Sequence, residues 1–160
     1  MDNEIIALAA KSGSELQRKG LVLALAESCT GGGIAQAITE IDGSSQWFDR
    51  GFVTYSNQAK IDMLGVNLQT LDQFGAVSAE TALEMVQGTL EQSQADCAIS
   101  VTGIAGSGGG RIEKPVGTVF IGWYKKNTSP VVEKYLFKGD RGQVRQQAII
   151  QALKGLLELI

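Results

Sequence analysis

Histidine is absent from the 160 residues of this sequence. That absence excludes the Ser-His-Asp triad, the Cys-His pair and every zinc site built on imidazole. The two cysteines, Cys29 and Cys97, are too few for a four-thiolate metal site, and the carboxylates are scattered along the chain. A nucleophilic serine in this chain therefore needs a base other than imidazole, and lysine is the main candidate.

Long apolar runs and dense basic runs are also missing. No apolar run approaches the roughly 18–20 residues of a membrane span, and the N-terminal MDNEII lacks the basic start of a signal peptide. A net charge of −3 without a basic cluster argues against a nucleic-acid partner. We therefore expect a cytoplasmic protein with no membrane or nucleic-acid partner. The length and the 44% hydrophobic content suit a single domain over residues 1–160.

Glycine, by contrast, is abundant, and its excess marks two loops. The first follows the apolar run Leu21–Ala26, which predicts a strand buried on both faces, and it precedes apolar residues at helical spacing. Ser28 lies in this strand–turn–helix segment as a candidate nucleophile, with the amides of Cys29, Thr30 or Gly31 as oxyanion donors. Two alternatives stay open here: Ser28 is an ordinary helix N-cap, or Cys29 is the nucleophile.

The second glycine-rich loop spans residues 103–115 and follows a predicted strand, Cys97–Thr102. Like the Gly31–Gly33 run, it matches neither the dinucleotide-binding nor the Walker A fingerprint. Backbone amides in both loops could still cradle a phosphate, with charge from Arg111, Lys114 or Arg141. A flexible loop without a ligand is the alternative reading.

Lys60 is the candidate general base that the sequence pattern indicates. It lies one turn into a predicted helix that directly follows the predicted strand Trp47–Tyr55. At an ordinary pKa of about 10.4, fewer than about one lysine in a thousand is neutral at pH 7, so a catalytic Lys60 requires burial. The alternative for Lys60 is an ordinary surface lysine. Tyr55, five residues earlier, is either a second polar group of the site or a half-buried aromatic residue of the strand.

Helical and strand patterns mix along the chain, which predicts an α/β sandwich with its site at the carboxyl ends of strands. Predicted helices cover residues 5–19, 34–40, 56–65, 67–74 and 140–160, and another begins at Ser78. Further strands are predicted over residues 116–124 and 131–137.

The chain resembles the family of CinA C-terminal domains, whose enzymes are nicotinamide-nucleotide amidohydrolases. Five stretches carry the resemblance in order along nearly the whole chain: AESCTGGGIAQAIT, GFVTYSNQAKIDMLGV, GAVSAETALEMV, VTGIAGSGGGRIEKPVGTVFIGW and FKGDRGQVRQQA. The resemblance implies a three-layer α/β/α sandwich, hydrolysis without a metal or cofactor, nicotinamide mononucleotide as substrate, and a homodimer. One departure is Ser107, where the family more often has proline.

The family motifs also imply roles for particular residues. Ser28 resembles the family nucleophile, Lys60 its general base, and Tyr55 and Thr102 further catalytic groups. Arg141 resembles a substrate-binding arginine, with Arg145 as a nearby alternative. The other substrate-binding positions implied by the two glycine-rich loops are Thr30, Gly31, Gly32, Gly103, Gly106 and Gly108. Two other functions stay open: a non-catalytic module that binds a nucleotide or a protein, and an amidase with a different substrate.

Overall fold

A mixed five-stranded sheet lies between two layers of helices in the computed structural model, which describes residues 1–160. The strands are β1 (Leu23–Glu27), β2 (Phe48–Val53), β3 (Cys97–Gly103), β4 (Thr118–Lys125) and β5 (Val131–Leu136). The helices are α1 (Asn3–Lys19), α2 (Gly33–Thr39), α3 (Asn57–Leu64), α4 (Leu68–Phe74), α5 (Ala79–Glu91) and α6 (Arg141–Leu159), with a short 3-10 helix at Ser44–Gln46. None of the helices is both long enough and apolar enough to span a bilayer.

The strand order β2-β1-β3-β4-β5 places β1 between two parallel neighbours. Strands β4 and β5 complete the sheet in the antiparallel sense. Because β1, β2 and β3 run in the same direction, their carboxyl ends meet at one edge of the sheet. In such sheets the crevice outside the carboxyl ends of the parallel strands is the usual place for a ligand.

Each face of the sheet is covered by three helices. Helices α1, α2 and α6 pack on one face over a core of 23 buried residues, which includes Trp47 and Trp123. Helices α3, α4 and α5 pack on the other over a smaller core that includes Leu64 and Met85. The three-layer α/β/α sandwich expected from the sequence is therefore confirmed.

Strand β1 is buried along its whole length, as its unbroken apolar run predicts. It begins at Leu23 instead of Leu21, because the amide of Leu21 still bonds to Leu16 in the end of α1, where Gly20 has a left-handed conformation. It also runs one residue further than predicted, to Glu27. The reactive turn thus starts directly at the carboxyl edge of the sheet.

Close backbone packing positions α3 beneath this edge. A Cβ atom at Gly88 of α5 would overlap the main-chain carbonyl group of Leu64, so only glycine permits this approach of α5 to the end of α3. The hydroxyl of Ser56 caps the start of α3 by accepting from the amide of Ala59 at 3.0 Å, and Gly65 ends the helix in a left-handed conformation. Helix α3 therefore has well-defined ends, and its buried face points to the sheet.

Candidate active site

A cleft of about 260 Å³ opens where the parallel strands end. Side chains and backbone from the ends of β1, β2 and β3, from α3, from the glycine-rich loop after β3 and from the start of α6 contribute to it. The lining residues are Ser28, Cys29, Tyr55, Lys60, Ala76, Val77, Thr102, Gly103, Ile104, Ala105, Gly106, Gly108, Gly109 and Arg141.

The Lys60 amine contacts the Ser28 hydroxyl at the base of this cleft. The Nζ–Oγ distance is 3.0 Å, and the same nitrogen lies 2.8 Å from the Thr54 carbonyl oxygen and 3.3 Å from that of Tyr55. Lys60 is only 1% exposed and Ser28 only 7%. Three oxygen atoms thus surround the amine, and two of them are carbonyls that can only accept hydrogen bonds.

Burial lowers the pKa of Lys60 from its ordinary 10.5 to about 8, because a buried ammonium loses its hydration. Neither of the two ion pairs in the structure involves this residue. A buried lysine without a carboxylate partner is rare, and it is the arrangement that keeps an amine partly neutral near pH 7. The reading of Lys60 as a surface lysine is wrong.

The turn after β1 leaves two backbone amides free beside Ser28. The Ser28 amide bonds to Val101 and that of Gly31 to the Ser28 carbonyl, whereas those of Cys29 and Thr30 donate no hydrogen bond within the chain. Gly31 is therefore not available as an oxyanion donor. The N-cap of α2 is Gly32, so the interpretation of Ser28 as an N-cap is also wrong.

Glu27 is a residue that the sequence reasoning did not single out. Its carboxylate is 1% exposed and accepts from the Thr30 hydroxyl at 2.6 Å, the Ile34 amide at 2.9 Å and the Ala35 amide at 3.0 Å. It occupies the start of α2, where Gly32 offers no side chain to cap the helix. The sequence does contain a signal for a role of Glu27, since it is a charged residue at the end of an otherwise apolar strand.

Cys29 lines the cleft, but its thiol is poorly suited to act as a nucleophile. Burial raises the pKa of Cys29 to about 12, so the reactive thiolate is scarce near neutral pH. The geometry thus favours Ser28, whose hydroxyl contacts the amine directly.

Thr102, Tyr55 and Arg141 complete the polar wall of the cleft. The Thr102 hydroxyl donates to the Ala76 carbonyl at 2.8 Å, which leaves its lone pairs available. Arg141, the first residue of α6, donates to the Gly106 carbonyl at 2.5 Å and to the Tyr55 hydroxyl at 3.0 Å. Tyr55 is 61% exposed and lies at the rim of the cleft, so it is not a half-buried strand residue.

Several sequence-predicted residues lie outside the cleft. Thr30 is fully buried, and neither Gly31 nor Gly32 lines the cavity, whereas Gly103, Gly106 and Gly108 do. The Arg145 guanidinium donates to the Thr30 carbonyl at 2.9 Å and lines a different cavity, on the α1 side of α2. The remaining two cationic candidates, Arg111 and Lys114, are not among the lining residues either.

The fold and the cleft together define an α/β protein with a buried serine–lysine pair at the carboxyl edge of a mixed sheet. No group of three or more carboxylate or cysteine side chains is arranged to hold a metal ion. The chain belongs to the family of CinA C-terminal domains, since the model of that family matches residues 5–160. The resemblance drawn from the sequence motifs is thus confirmed.

Two curated relatives that match over nearly their whole length share about half of the sequence. Nicotinamide-nucleotide amidohydrolase PncC of Enterobacter agglomerans is 53% identical over 150 residues, which cover 94% of this chain and 92% of that protein. PncC of Escherichia coli K12 is 48% identical over 155 residues, which cover 97% and 94%. A CinA-like protein of Geotalea daltonii is 52% identical, but the matched part is only 34% of its length and 88% of this chain.

Solved structures show the same fold. The competence/damage inducible protein CihA from Agrobacterium tumefaciens superposes with a TM-score of 0.98 at 46% identity, over 99% of this chain and 97% of that one. A CinA-superfamily protein from Escherichia coli superposes with a TM-score of 0.94 at 36% identity, over 100% and 93%.

Proposed function

We propose that this protein hydrolyses the carboxamide of nicotinamide mononucleotide to nicotinate mononucleotide and ammonia, with Ser28 as nucleophile and Lys60 as general base. The names of the full-length relatives from Enterobacter agglomerans and Escherichia coli support the reaction. The single observation that carries the mechanism is the 3.0 Å contact between the buried Lys60 amine and the Ser28 hydroxyl.

The surroundings of Lys60 orient the proton transfer. A neutral amine has two N–H groups and one lone pair, and the carbonyls of Thr54 and Tyr55 can only accept. With both N–H groups directed to these carbonyls, the lone pair faces the Ser28 hydroxyl. The hydroxyl proton then moves to Lys60 as Oγ attacks the carboxamide carbon.

The tetrahedral intermediate places a negative charge beside the turn after β1. The free amide of Cys29, a residue that lines the cleft, is the donor next to Ser28, and one such donor is typically worth about 3–4 kcal/mol of transition-state stabilisation. Protonated Lys60 then gives its proton to the leaving ammonia. Water activated by the same amine hydrolyses the acyl-enzyme ester and releases the carboxylate product.

Thr102 and Arg141 suit the two ends of the substrate. The lone pairs of the Thr102 hydroxyl can accept from the carboxamide N–H groups, since its own proton is held by Ala76. Arg141 brings a positive charge to the first turn of α6, where the helix dipole also favours an anion. The phosphate of the nucleotide therefore lies between Arg141 and the loop that contains Gly106 and Gly108.

Ammonia release from nicotinamide mononucleotide by the purified protein tests the proposed reaction. Turnover of the mononucleotide with much slower turnover of free nicotinamide is expected, because only the former offers a phosphate to Arg141. Equal turnover of both would favour an amidase with another substrate. Thermal stabilisation by the mononucleotide without ammonia would favour a binding module.

The rate should depend on pH through Lys60. Its active form is neutral, and at a pKa of about 8 about one-tenth of the enzyme has that form at pH 7. We expect kcat/KM to rise almost tenfold per pH unit below pH 8 and to level off above it. Initial rates between pH 6.5 and 9.5 check this, and a profile that falls over this range would refute the role of the amine.

Arg141 should act on substrate affinity more than on chemistry. Arg141→Gln removes the charge at the start of α6, and we expect KM for the mononucleotide to rise about 10-fold to 100-fold with kcat within about threefold. Arg18→Gln is the matched control, since Arg18 is paired only with Glu15 on the surface of α1. An unchanged KM in Arg141→Gln would place the phosphate elsewhere.

Two predictions concern the setting of the enzyme. The homodimer implied by the family resemblance and the cytoplasmic location expected from the N-terminal sequence both remain proposals. Sedimentation equilibrium at micromolar protein tests the first, and cell fractionation of the source organism tests the second.

A further inference from the structure

We propose that Glu27 is a positioning residue, whose buried carboxylate holds the turn after β1 so that the free backbone amide of Cys29 faces the oxygen that develops negative charge. This inference rests on the proposed serine chemistry. It assigns no proton transfer to Glu27, because the carboxylate contacts neither Ser28 nor Lys60.

The carboxylate ties together both ends of the turn. One oxygen accepts from the Thr30 hydroxyl and from the Ile34 amide, and the other accepts from the Ala35 amide. Three donors therefore stabilise the carboxylate of a residue that is only 1% exposed. Glu27 takes part in neither of the two ion pairs. A buried charge held only by hydrogen bonds tolerates little movement, since losing one donor leaves it poorly solvated.

Other bonds fix the turn around the two free amides. The Ser28 amide donates to Val101 of β3 at 3.0 Å, and the Thr30 carbonyl accepts from the Gly33 amide and from Arg145, both at 2.9 Å. With the Thr30 hydroxyl held by Glu27 as well, the segment from Ser28 to Thr30 has little freedom to rotate. The Cys29 and Thr30 amides are its only backbone donors without a partner.

Glu27 also determines which groups are left for the substrate. It takes up the first amides of α2, so the start of that helix is not available to an anion. Developing negative charge is then stabilised by the free amide of Cys29, the residue that directly follows the nucleophile. The Glu27 carboxylate is thus tolerated next to Ser28, where an oxyanion develops, because the Thr30 hydroxyl and the first amides of α2 already stabilise its charge.

The test compares Glu27→Gln with Glu84→Gln. Glu84 is the matched control, because its carboxylate also accepts three hydrogen bonds, from the amide and side chain of Asn67 and from the Thr70 hydroxyl, but it does not line the cleft. We expect kcat for ammonia release to fall at least tenfold in Glu27→Gln, with KM within about twofold and the pH midpoint unchanged. In Glu84→Gln both constants should stay within about twofold of wild type.

Thr30 supplies a second pair of variants in case Glu27→Gln does not fold. Thr30→Val removes the hydroxyl that bonds to Glu27 and keeps the shape of the side chain, whereas Thr30→Ser keeps the bond. The kcat should fall in Thr30→Val and recover in Thr30→Ser. Wild-type kcat in a folded Glu27→Gln protein or in Thr30→Val overturns the inference, as does a change confined to KM.

A fluorophosphonate probe separates this inference from the choice of substrate. Its phosphorus forms a bond to Ser28 Oγ, fluoride leaves, the hydroxyl proton passes to Lys60, and the phosphoryl oxygen occupies the oxyanion position. We expect labelling of Ser28, measured by mass spectrometry, to be at least tenfold slower in Glu27→Gln than in wild type. Labelling with no turnover of the mononucleotide refutes the proposed substrate only; equal labelling rates overturn the inference; no labelling of wild type overturns both the inference and the serine mechanism.

Discussion

Ammonia release from nicotinamide mononucleotide is expected to fall by about 10³-fold or more when Lys60 is replaced by methionine, and by a similar factor in Ser28→Ala. Methionine fills the volume of the lysine stem but cannot accept a proton. Alanine at position 28 removes the attacking oxygen. Because the two groups act as one unit, the double variant should lose little more than either single variant.

Matched surface variants control for nonspecific effects on folding. Lys11→Met removes an amine from the exposed side of α1, and Ser45→Ala removes a hydroxyl from the exposed 3-10 helix. Both should retain wild-type kcat and KM. Full activity in Ser28→Ala would favour Cys29, the other nucleophilic side chain of the cleft, as the nucleophile. Full activity in Lys60→Met would refute the proposal that the amine is the base.

The stability of the Lys60→Met variant relative to wild type should depend on pH. Burial lowers the pKa of Lys60 from 10.5 to about 8, so the folded state binds the proton less tightly than the unfolded state does. Below pH 8 this difference destabilises the fold in full, by about 3 kcal/mol at about 1.4 kcal/mol per pKa unit. The destabilisation disappears as the pH rises from 8 to 10.5, because the unfolded chain then also loses the proton.

Urea denaturation at two pH values measures this effect. Lys60→Met also loses the hydrogen bonds of the amine to Ser28, Thr54 and Tyr55, which cost about 1 kcal/mol each, so at pH 7 this loss offsets most of the gain from removing the buried charge. Between pH 7 and pH 9 the free energy of unfolding of the variant should fall by about 1 kcal/mol relative to that of wild type. A difference in stability that stays constant with pH would mean that the Lys60 pKa is not lowered; Lys11→Met should show no such trend.

These two results together would show why the fold keeps a buried amine. A neutral side chain at position 60 would avoid the cost of a buried ammonium at neutral pH, and only the chemistry at Ser28 requires the lysine. Stability is commonly reduced in this way at functional sites, where side chains are held in energetically unfavourable environments.

Local patterns in the sequence were sufficient for the elements and for the reactive groups. The apolar run before Glu27 predicts a strand buried on both faces, and residues such as Ser56 and Ser78 predict helix starts that the structure contains. The absence of histidine directs attention to lysine. Such inferences succeed because burial periodicity and capping depend on residues only a few positions apart.

Only the tertiary structure decided which of these groups meet. Ser28 and Lys60 are 32 residues apart, and they touch because β1 and β2 are parallel neighbours whose carboxyl ends share one edge. Arg141 and Arg145 lie one helical turn apart, yet the first reaches Gly106 in the cleft and the second reaches Thr30 behind it. The sequence determined the chemical groups, whereas long-range packing determined their distances, their burial and hence the pKa of Lys60.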